Sequence, residues 1–238
     1  MALPKLNAST IYTLTIPSTG KKVNYRPFLV KEQKALLVAQ ESSDVDVMVN
    51  TLKGVISECV SDVDVDTLAV FDIQYIFNHL RSKSTGEMVE LIFECDEDHG
   101  EKQKDAKVVY QLDITKAEVK TSPDHTKKID LFDGVGVMMK YPTIQILKKL
   151  ETLKNISDFY ELIPECIDYI YDTQEVYYIK DQTKEEVTEF INNLTDSQFK
   201  KVEQFFSTMP QIIHKVEYRC PVCGKSHKRE LGGLQNFF

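Results

Sequence analysis

Two cysteines near the C-terminus have the clearest potential for chemistry, in the segment Cys220-Pro-Val-Cys223-Gly224. Two thiolates separated by two residues, with a glycine after the second, form a turn whose backbone amides face both sulfurs, and they supply two of the four ligands that Zn²⁺ requires. The flanking residues 216–219 and 228–231 have the composition of β-strands. The pattern predicts a zinc-ribbon-like β-hairpin. It disfavours a redox site, because the two cysteines of a redox Cys-x-x-Cys motif lie at the N-terminus of a helix.

Two further ligands must come from elsewhere in the chain. Cys95 and His99 lie at the predicted tip of a hairpin in the middle of the sequence, and they complete a Cys₃His set with Cys220 and Cys223. His227 is a local alternative for the fourth ligand. Two interpretations are open: one structural Zn²⁺ held by these residues, or a surface hairpin without a metal.

Other short motifs give no support for catalysis. The segment Asp62-Val-Asp-Val-Asp66 begins like a calcium loop, but its sixth position is Thr67 rather than glycine and its twelfth is Ile73 rather than glutamate. The sequence contains no phosphate-binding glycine loop and no HExxH or GxSxG motif. No pairing of cysteine or serine with histidine has sequence support as a nucleophilic site. We therefore expect a protein that is not an enzyme.

The composition favours a globular protein that does not coat nucleic acid. The chain has 238 residues, 42% of them hydrophobic, and its 29 basic and 37 acidic residues give a net charge of −8. Phosphate binding needs clustered lysine and arginine, and the segment 214–230 is locally basic. A zinc-ribbon protein that binds nucleic acid is therefore the alternative function. The sequence has no run of 18 apolar residues, so it predicts no membrane span. Because the first residues also lack the apolar stretch of a secretion signal, we expect a cytosolic protein.

Hydrophobic periodicity predicts an α+β fold. Residues 11–25 and 88–112 alternate like two β-hairpins, and helical spacing recurs between them. We divide the chain into an N-terminal α+β part with two hairpins at 1–121, a turn-rich connector at 122–140, a helical part at 141–210, and a C-terminal hairpin with the cysteine turn and an apolar tail at 211–238.

Two kinds of pattern define the predicted helical part. Thr183 with Glu186, and Thr195 with Gln198, have the spacing of capping boxes, in which each side chain accepts a hydrogen bond from the other residue's backbone amide. Before them, apolar residues at helical spacing predict a helix that is kinked or restarted at Pro164. The residues that define this helix are Ile156, Phe159, Ile163, Ile167 and Ile170.

The chain ends in an apolar tail, Leu234, Phe237 and Phe238, after two glycines. An apolar tail costs solubility unless it packs on its own domain or on another protein, and both outcomes are open. Because aromatic residues are frequent anchors of protein interfaces, these three residues are the candidate partner-binding site. The segment 25–28 is a weaker candidate, since Arg26 is better explained as one member of a structural ion pair.

Several longer segments are specific enough to be compared with a known protein family. They are Leu14-Thr-Ile-Pro-Ser-Thr-Gly-Lys-Lys22, Tyr25-Arg-Pro-Phe-Leu-Val-Lys-Glu-Gln33, Phe71-Asp-Ile-Gln-Tyr75, Phe205-Phe-Ser-Thr-Met-Pro210 and Gly233-Leu-Gln-Asn-Phe-Phe238. Together they resemble the T4-like phage baseplate hub subunit family, also described as baseplate hub assembly proteins. The segments run from one end of the sequence to the other, so the resemblance covers nearly the whole chain.

The resemblance implies a tail protein of a contractile-tailed phage, either a baseplate hub component or a chaperone for hub assembly, that acts by protein–protein recognition. It implies other baseplate hub or tail proteins as partners. The implied location is the host cytoplasm during assembly or the tail baseplate of the virion. The family supplies no catalytic residue and no fixed metal site, so the metal prediction rests on the residues of this sequence alone.

Overall fold

The structure is a computed structural model that describes residues 10–42, 44–146, 149 and 160–232. Over these residues the protein has a mixed α+β fold, as the sequence predicts. The chain divides into two compact units, and each unit is built from segments that are separate in the sequence. The described parts of Met1–Asp64, Phe71–Lys120 and Gln211–Phe238 form the first unit, and Val65–Val70 and Thr121–Pro210 form the second.

The first unit begins with the predicted β-hairpin. Strands β1 (Tyr12–Thr15) and β2 (Lys22–Tyr25) pair antiparallel. The turn between them closes where Gly20 donates its backbone N–H to the carbonyl of Ile16 over 2.8 Å. Gly20 has a φ of +69°, a conformation that glycine adopts without the clash a Cβ atom would cause.

Three helices follow: α1 (Val30–Ser42), α2 (Val45–Cys59) and α3 (Val70–Ser84). The apolar residues of α2 and α3 recur every three or four positions, so each helix has an apolar face that it can bury. Helix α1 differs, because the residues buried on it are Glu32 and Ala39. The buried apolar residues of the other two helices are Val49, Leu52, Val55, Ile56, Phe71, Ile73, Ile76, Phe77 and Leu80.

Two antiparallel sheets complete the first unit. Strands β3 (Met88–Glu94) and β4 (Lys107–Asp113) form the predicted middle hairpin. Strand β10 (Gln211–Arg219) pairs with β11 (Ser226–Gly232), as the sequence predicts for the C-terminal hairpin, and also with the short strand β5 (Glu118–Lys120). The C-terminal hairpin therefore extends a sheet of the first unit.

The two sheets share one small apolar core. The ring of Phe93 on β3 stacks on the ring of Tyr218 on β10, with centroids 4.8 Å apart and planes within 9°. The Tyr218 hydroxyl donates to the backbone carbonyl of Glu94 over 3.1 Å. This stack and this hydrogen bond align the end of β3 with the end of β10. The buried members of the cluster are Phe93, Leu112, Ile114, Val216 and Tyr218.

The second unit contains a four-stranded antiparallel sheet in the order β6 (Lys128–Phe132), β7 (Val135–Met139), β8 (Ile167–Tyr171) and β9 (Val176–Tyr178). Side chains of this sheet and of two helices form one apolar cluster. The helices begin at the predicted capping boxes, which are confirmed for Thr183 with Glu186 and for Thr195 with Gln198. Among the described residues, no helix combines the length and the apolar character needed to cross a membrane. The two helices are α4 (Lys184–Asn192) and α5 (Asp196–Thr208).

Residues 122–140, which we interpreted as a turn-rich connector, contain strands β6 and β7. Ile129 and Leu131 alternate with exposed neighbours along β6 and are buried, which is the period of a half-buried strand. Gly134 has a φ of +81° in the turn between the two strands. The turn residues that suggested a connector thus belong to a hairpin.

The predicted helix through Ile163, Ile167 and Ile170 is wrong in its second half. Ile163 lies in a short 3-10 turn, and the residues from Ile167 onward form strand β8. Isoleucines three or four positions apart match helical spacing by coincidence here, whereas β-branched and aromatic residues favour a strand. Ile156 and Phe159 lie outside the described residues.

A buried carboxylate fixes the start of α1. The guanidinium of Arg26 lies 3.1 Å from Oε1 of Glu32, and the backbone N–H of Leu29 donates to Oε2 over 2.6 Å. Burial by itself raises the pKa of Glu32, but the Leu29 N–H and the cations of Arg26 and Lys31 outweigh it and hold the pKa below its usual value. The structural ion pair predicted for Arg26 is therefore confirmed. Its neighbours Tyr25 and Phe28 are buried, so they are core residues in this fold.

Replacing this carboxylate is expected to destabilise the first unit in a pH-dependent way. Glu32→Gln should lower the free energy of unfolding by about 2 kcal/mol at pH 7, because it removes the charge from a buried, hydrogen-bonded acceptor. The folded-state pKa of Glu32 is depressed, so its stabilisation is present at neutral pH and is lost as the pH falls through that folded-state value. Urea unfolding of both proteins between pH 7 and pH 3 measures the difference.

The control is Glu41→Gln, which changes an exposed glutamate of the same helix. This control should unfold like the parent at every pH. A Glu32→Gln effect that stays constant down to pH 3 would contradict the ion-pair explanation.

Candidate metal centre

The first two candidate ligands lie at the tip of the β3–β4 hairpin. Strand β3 ends at Glu94, so Cys95 is the first residue beyond it. His99 precedes the 3-10 turn Gly100–Ala106, and its backbone N–H donates to the side-chain oxygen of Gln103 over 3.0 Å. The loop therefore returns both side chains to the end of the hairpin.

The other two candidate ligands lie in the turn between β10 and β11. The backbone N–H of Cys220 donates to the carbonyl of Lys225, and the N–H of Gly224 donates to the carbonyl of Cys220, both over 2.9 Å. Gly224 has a φ of +73°. The carbonyl of Gly224 also accepts a hydrogen bond from Nε of Arg219 over 2.7 Å. This tight turn is the one that the cysteine spacing predicts.

The structure brings all four predicted residues together. The ligand atoms of Cys95, His99, Cys220 and Cys223 lie within 4.8 Å of one another. The Cys95 and Cys223 sulfurs are 3.9 Å apart, and Nε2 of His99 is 3.5 Å from the sulfur of Cys220. Three soft sulfurs and one imidazole nitrogen are ligands that suit zinc, so the cluster is compatible with a metal site.

The environment of the sulfurs favours at least one thiolate. Burial by itself opposes ionisation of Cys220, but the backbone N–H groups of Cys223 and Val222 and the thiols of Cys223 and Cys95 donate to its sulfur and lower its pKa to about 6. Burial and the neighbouring thiols raise the pKa of Cys95, against the donating backbone N–H of Glu97. Metal coordination requires the deprotonated sulfur, so the N–H groups at Cys220 prepare it for that role.

His227, the alternative ligand from the sequence, lies beside the cluster. Its Nε2 is 3.2 Å from the sulfur of Cys95, and its Nδ1 is 3.3 Å from a carboxylate oxygen of Asp96. The ring is buried and stacks on Tyr218 at a centroid distance of 5.0 Å. The contact with Asp96 was not predicted from the sequence. The position of Asp96, directly after a candidate ligand, is the signal that could have indicated it.

The other two cysteines, Cys59 and Cys166, are buried among apolar residues and are not part of this cluster. Leu234, Phe237 and Phe238 lie outside the described residues, so their role as a partner-binding tail stays a prediction.

Comparison with known proteins places the chain among phage tail proteins. The family described as T4 bacteriophage base plate protein matches residues 9–238, a range that spans both units. A curated relative, the baseplate hub assembly protein gp26 of Enterobacteria phage T4, is 22% identical over 230 residues, which is 95% of this chain and 97% of the relative. No solved structure matches the chain.

The five thiols are expected to differ sharply in their reactivity when the reduced protein is free of metal. Burial raises the pKa of Cys59 to about 11 and that of Cys166 to about 12, so almost none of either is thiolate at pH 8. Cys223 is exposed. A time course with iodoacetamide at pH 8, read by peptide mass spectrometry, should modify Cys223 at least tenfold faster than either buried thiol.

The same reaction in denaturant is the control, and there all cysteines should react alike. Modification of Cys59 or Cys166 at the rate of Cys223 in the folded protein would show that the placement of these side chains is wrong.

Proposed function

The chain belongs to the T4 bacteriophage base plate protein family, and from that membership we propose that it acts in assembly of the baseplate hub by recognising other baseplate proteins, without catalysing a reaction. The observation that carries the proposal is the match along almost the full length of a protein named for baseplate hub assembly. The proposal includes two roles, a lasting hub component and a transient chaperone. They differ in whether the chain stays in the virion, and peptide mass spectrometry of purified virions separates them.

Exposed apolar side chains on α1 support recognition as the mode of action. Val30 is 80% exposed, and Leu37 and Val38 are more than half exposed on the same helix. Leu37 follows Val30 by seven positions, about two helical turns, so the two lie on one face of the helix, and Val38 widens the exposed apolar surface beside them. An exposed apolar surface is a feature that a protein partner covers.

The outer face of the β3–β4 hairpin offers a second exposed surface. Ile92 and Val109 lie opposite each other in the register of the two strands, and both are more than half exposed. On one side of this pair Glu94 forms an ion pair with Lys107 at 2.9 Å. On the other side, Gln111 donates to Glu90 over 3.0 Å. An apolar centre with a polar rim is the usual arrangement of a protein interface.

A structural Zn²⁺ held by Cys95, His99, Cys220 and Cys223 is part of the proposal. Two-stranded hairpins are marginally stable on their own. An ion bound at the tips would join β3–β4 to β10–β11 and stabilise the surface that the first unit presents. Bound zinc in a closed four-ligand site contributes folding free energy and has no open position for a substrate.

The alternative of nucleic-acid binding has less support. Four of the five lysine and arginine residues of the locally basic segment 214–230 pair with carboxylates of the same unit, and Arg219 donates to the carbonyl of Gly224, so the segment offers little positive charge for phosphate. The pairs are Lys215 with Glu118, Lys225 with Glu97, Lys228 with Glu217, and Arg229 with Asp96.

The apolar tail is expected to be needed for assembly but not for folding. In a phage that lacks the gene, the full chain supplied from a plasmid should restore infectious particles. The variant Leu234→Ser/Phe237→Ser/Phe238→Ser should not, because removing aromatic interface anchors costs about 2 kcal/mol each, enough to weaken binding more than tenfold. The measurement is the yield of infectious particles, with circular dichroism of the purified variant to verify its fold.

The matched control is Gln235→Ser/Asn236→Ser, which changes the polar residues of the same tail and should restore assembly. Normal particle yield from the folded triple variant would exclude the tail as a contact. Normal yield from the phage lacking the gene, with no chain supplied, would exclude the assembly role itself.

A further inference from the structure

Five side chains of types that can bind a metal lie close together, although a structural zinc site takes four ligands. Besides Cys95, His99, Cys220 and Cys223, the imidazole of His227 approaches the cluster and contacts the sulfur of Cys95. Zinc in a structural site is four-coordinate and tetrahedral. One of the two histidines must therefore have a different role.

Interatomic distances distinguish the two histidines. With Zn–S near 2.3 Å and Zn–N near 2.05 Å, two sulfurs of a tetrahedral site lie about 3.8 Å apart, and a sulfur and a nitrogen about 3.6 Å apart. The Cys95–Cys223 distance of 3.9 Å and the His99–Cys220 distance of 3.5 Å agree with these edges. The Cys95–His227 distance of 3.2 Å is shorter than such an edge and suits an N–H donating to sulfur.

Resting on the proposed zinc site, we propose that Cys95, His99, Cys220 and Cys223 are the ligands and that His227 is a positioning residue, whose Nε2–H donates a hydrogen bond to the sulfur of Cys95. The zinc would thus have three sulfur ligands and one nitrogen ligand, and His227 would lie outside the coordination sphere.

The packing around His227 holds its ring in this position. On β11 it lies opposite Tyr218 of β10, and the two rings stack with planes within 15°. In this arrangement the Nδ1–H of His227 donates to the carboxylate of Asp96, which also pairs with Arg229. Because Nε2–H donates to the sulfur of Cys95 as well, both ring nitrogens carry a proton and the ring is an imidazolium cation between two anionic groups. A carboxylate behind an imidazole also accompanies many metal-bound histidines, so this contact alone fits either role. The short distance to sulfur is what favours the outer position.

A hydrogen bond to a metal-bound thiolate has two chemical consequences. It draws charge from the sulfur, which makes the sulfur a weaker nucleophile towards alkylating agents. It also fixes the orientation of the ligand, and loss of such outer contacts commonly weakens metal binding 10–100-fold. His227 would therefore affect the affinity for zinc without changing the number of ligands.

The test compares two variants of the purified, reduced chain after loading with Co²⁺ and, separately, with Zn²⁺. His227→Phe keeps an aromatic ring against Tyr218. It should retain the tetrahedral Co²⁺ absorption of the parent, while competition with a chelator shows zinc affinity weakened 10–100-fold. His99→Ala should shift the ligand-field bands of Co²⁺, because water replaces the nitrogen ligand. His79→Phe, on α3, is the control and should match the parent.

The parent chain itself gives a second readout that does not depend on how a variant folds. After loading with ¹¹³Cd, proton–cadmium correlation spectra should connect the metal to Cys95, Cys220, Cys223 and His99, and not to His227. A connection to His227 in place of His99 would overturn the proposal, as would a parent chain that binds none of the three metals. Metal binding is measured on the purified chain, whereas the hub role is scored by particle yield, so either can fail without the other.

Discussion

The first unit brings together two hairpin tips that are far apart in the sequence. Cys95 and Cys223, whose sulfurs approach to 3.9 Å, are separated by 128 positions. Closing a loop of this length has a large entropic cost in the unfolded chain, and a cross-link that removes this cost is worth about 5 kcal/mol in the chain-entropy model. A metal ion at the tips would act in this way.

The contacts around the tips divide into strong and weak ones. Lys225 with Glu97 and Arg229 with Asp96 connect the two tips, but exposed ion pairs of this kind contribute about 0–1 kcal/mol each. The stack of Phe93 on Tyr218 and the hydrogen bond from Tyr218 to Glu94 are better shielded, and they align the strands just before the tips. The apolar stack thus brings the four candidate ligands near one another, and the ion would hold them there. With the ion bound, the two hairpins would be held together as one rigid pair.

Local features such as turns and helix caps could be predicted from the sequence. Pairing between distant segments was harder to predict. The cysteine turn followed from its spacing, and the capping boxes at Thr183 and Thr195 followed from the hydrogen bonds that such spacing permits. The partnership of Cys95 and His99 with that turn was predicted because both lie at a hairpin tip. The pairing of β5 with β10 was not predicted, since three residues carry no signal for a partner 90 positions away. Strand β8 was mistaken for helix because Ile163, Ile167 and Ile170 are four and three positions apart, which is helical spacing. The distinction between His99 and His227 required distances that no sequence contains.

Hydrogen–deuterium exchange of the purified chain, with zinc bound and after its removal by a chelator, tests most directly whether one ion joins the two hairpins. If one ion joins them, amides of residues 88–113 and of residues 211–232 should lose protection together, while α4 and α5 of the second unit are unchanged. If removing zinc affects residues 220–227 alone and leaves residues 88–113 as protected as before, the two tips are not joined by a metal.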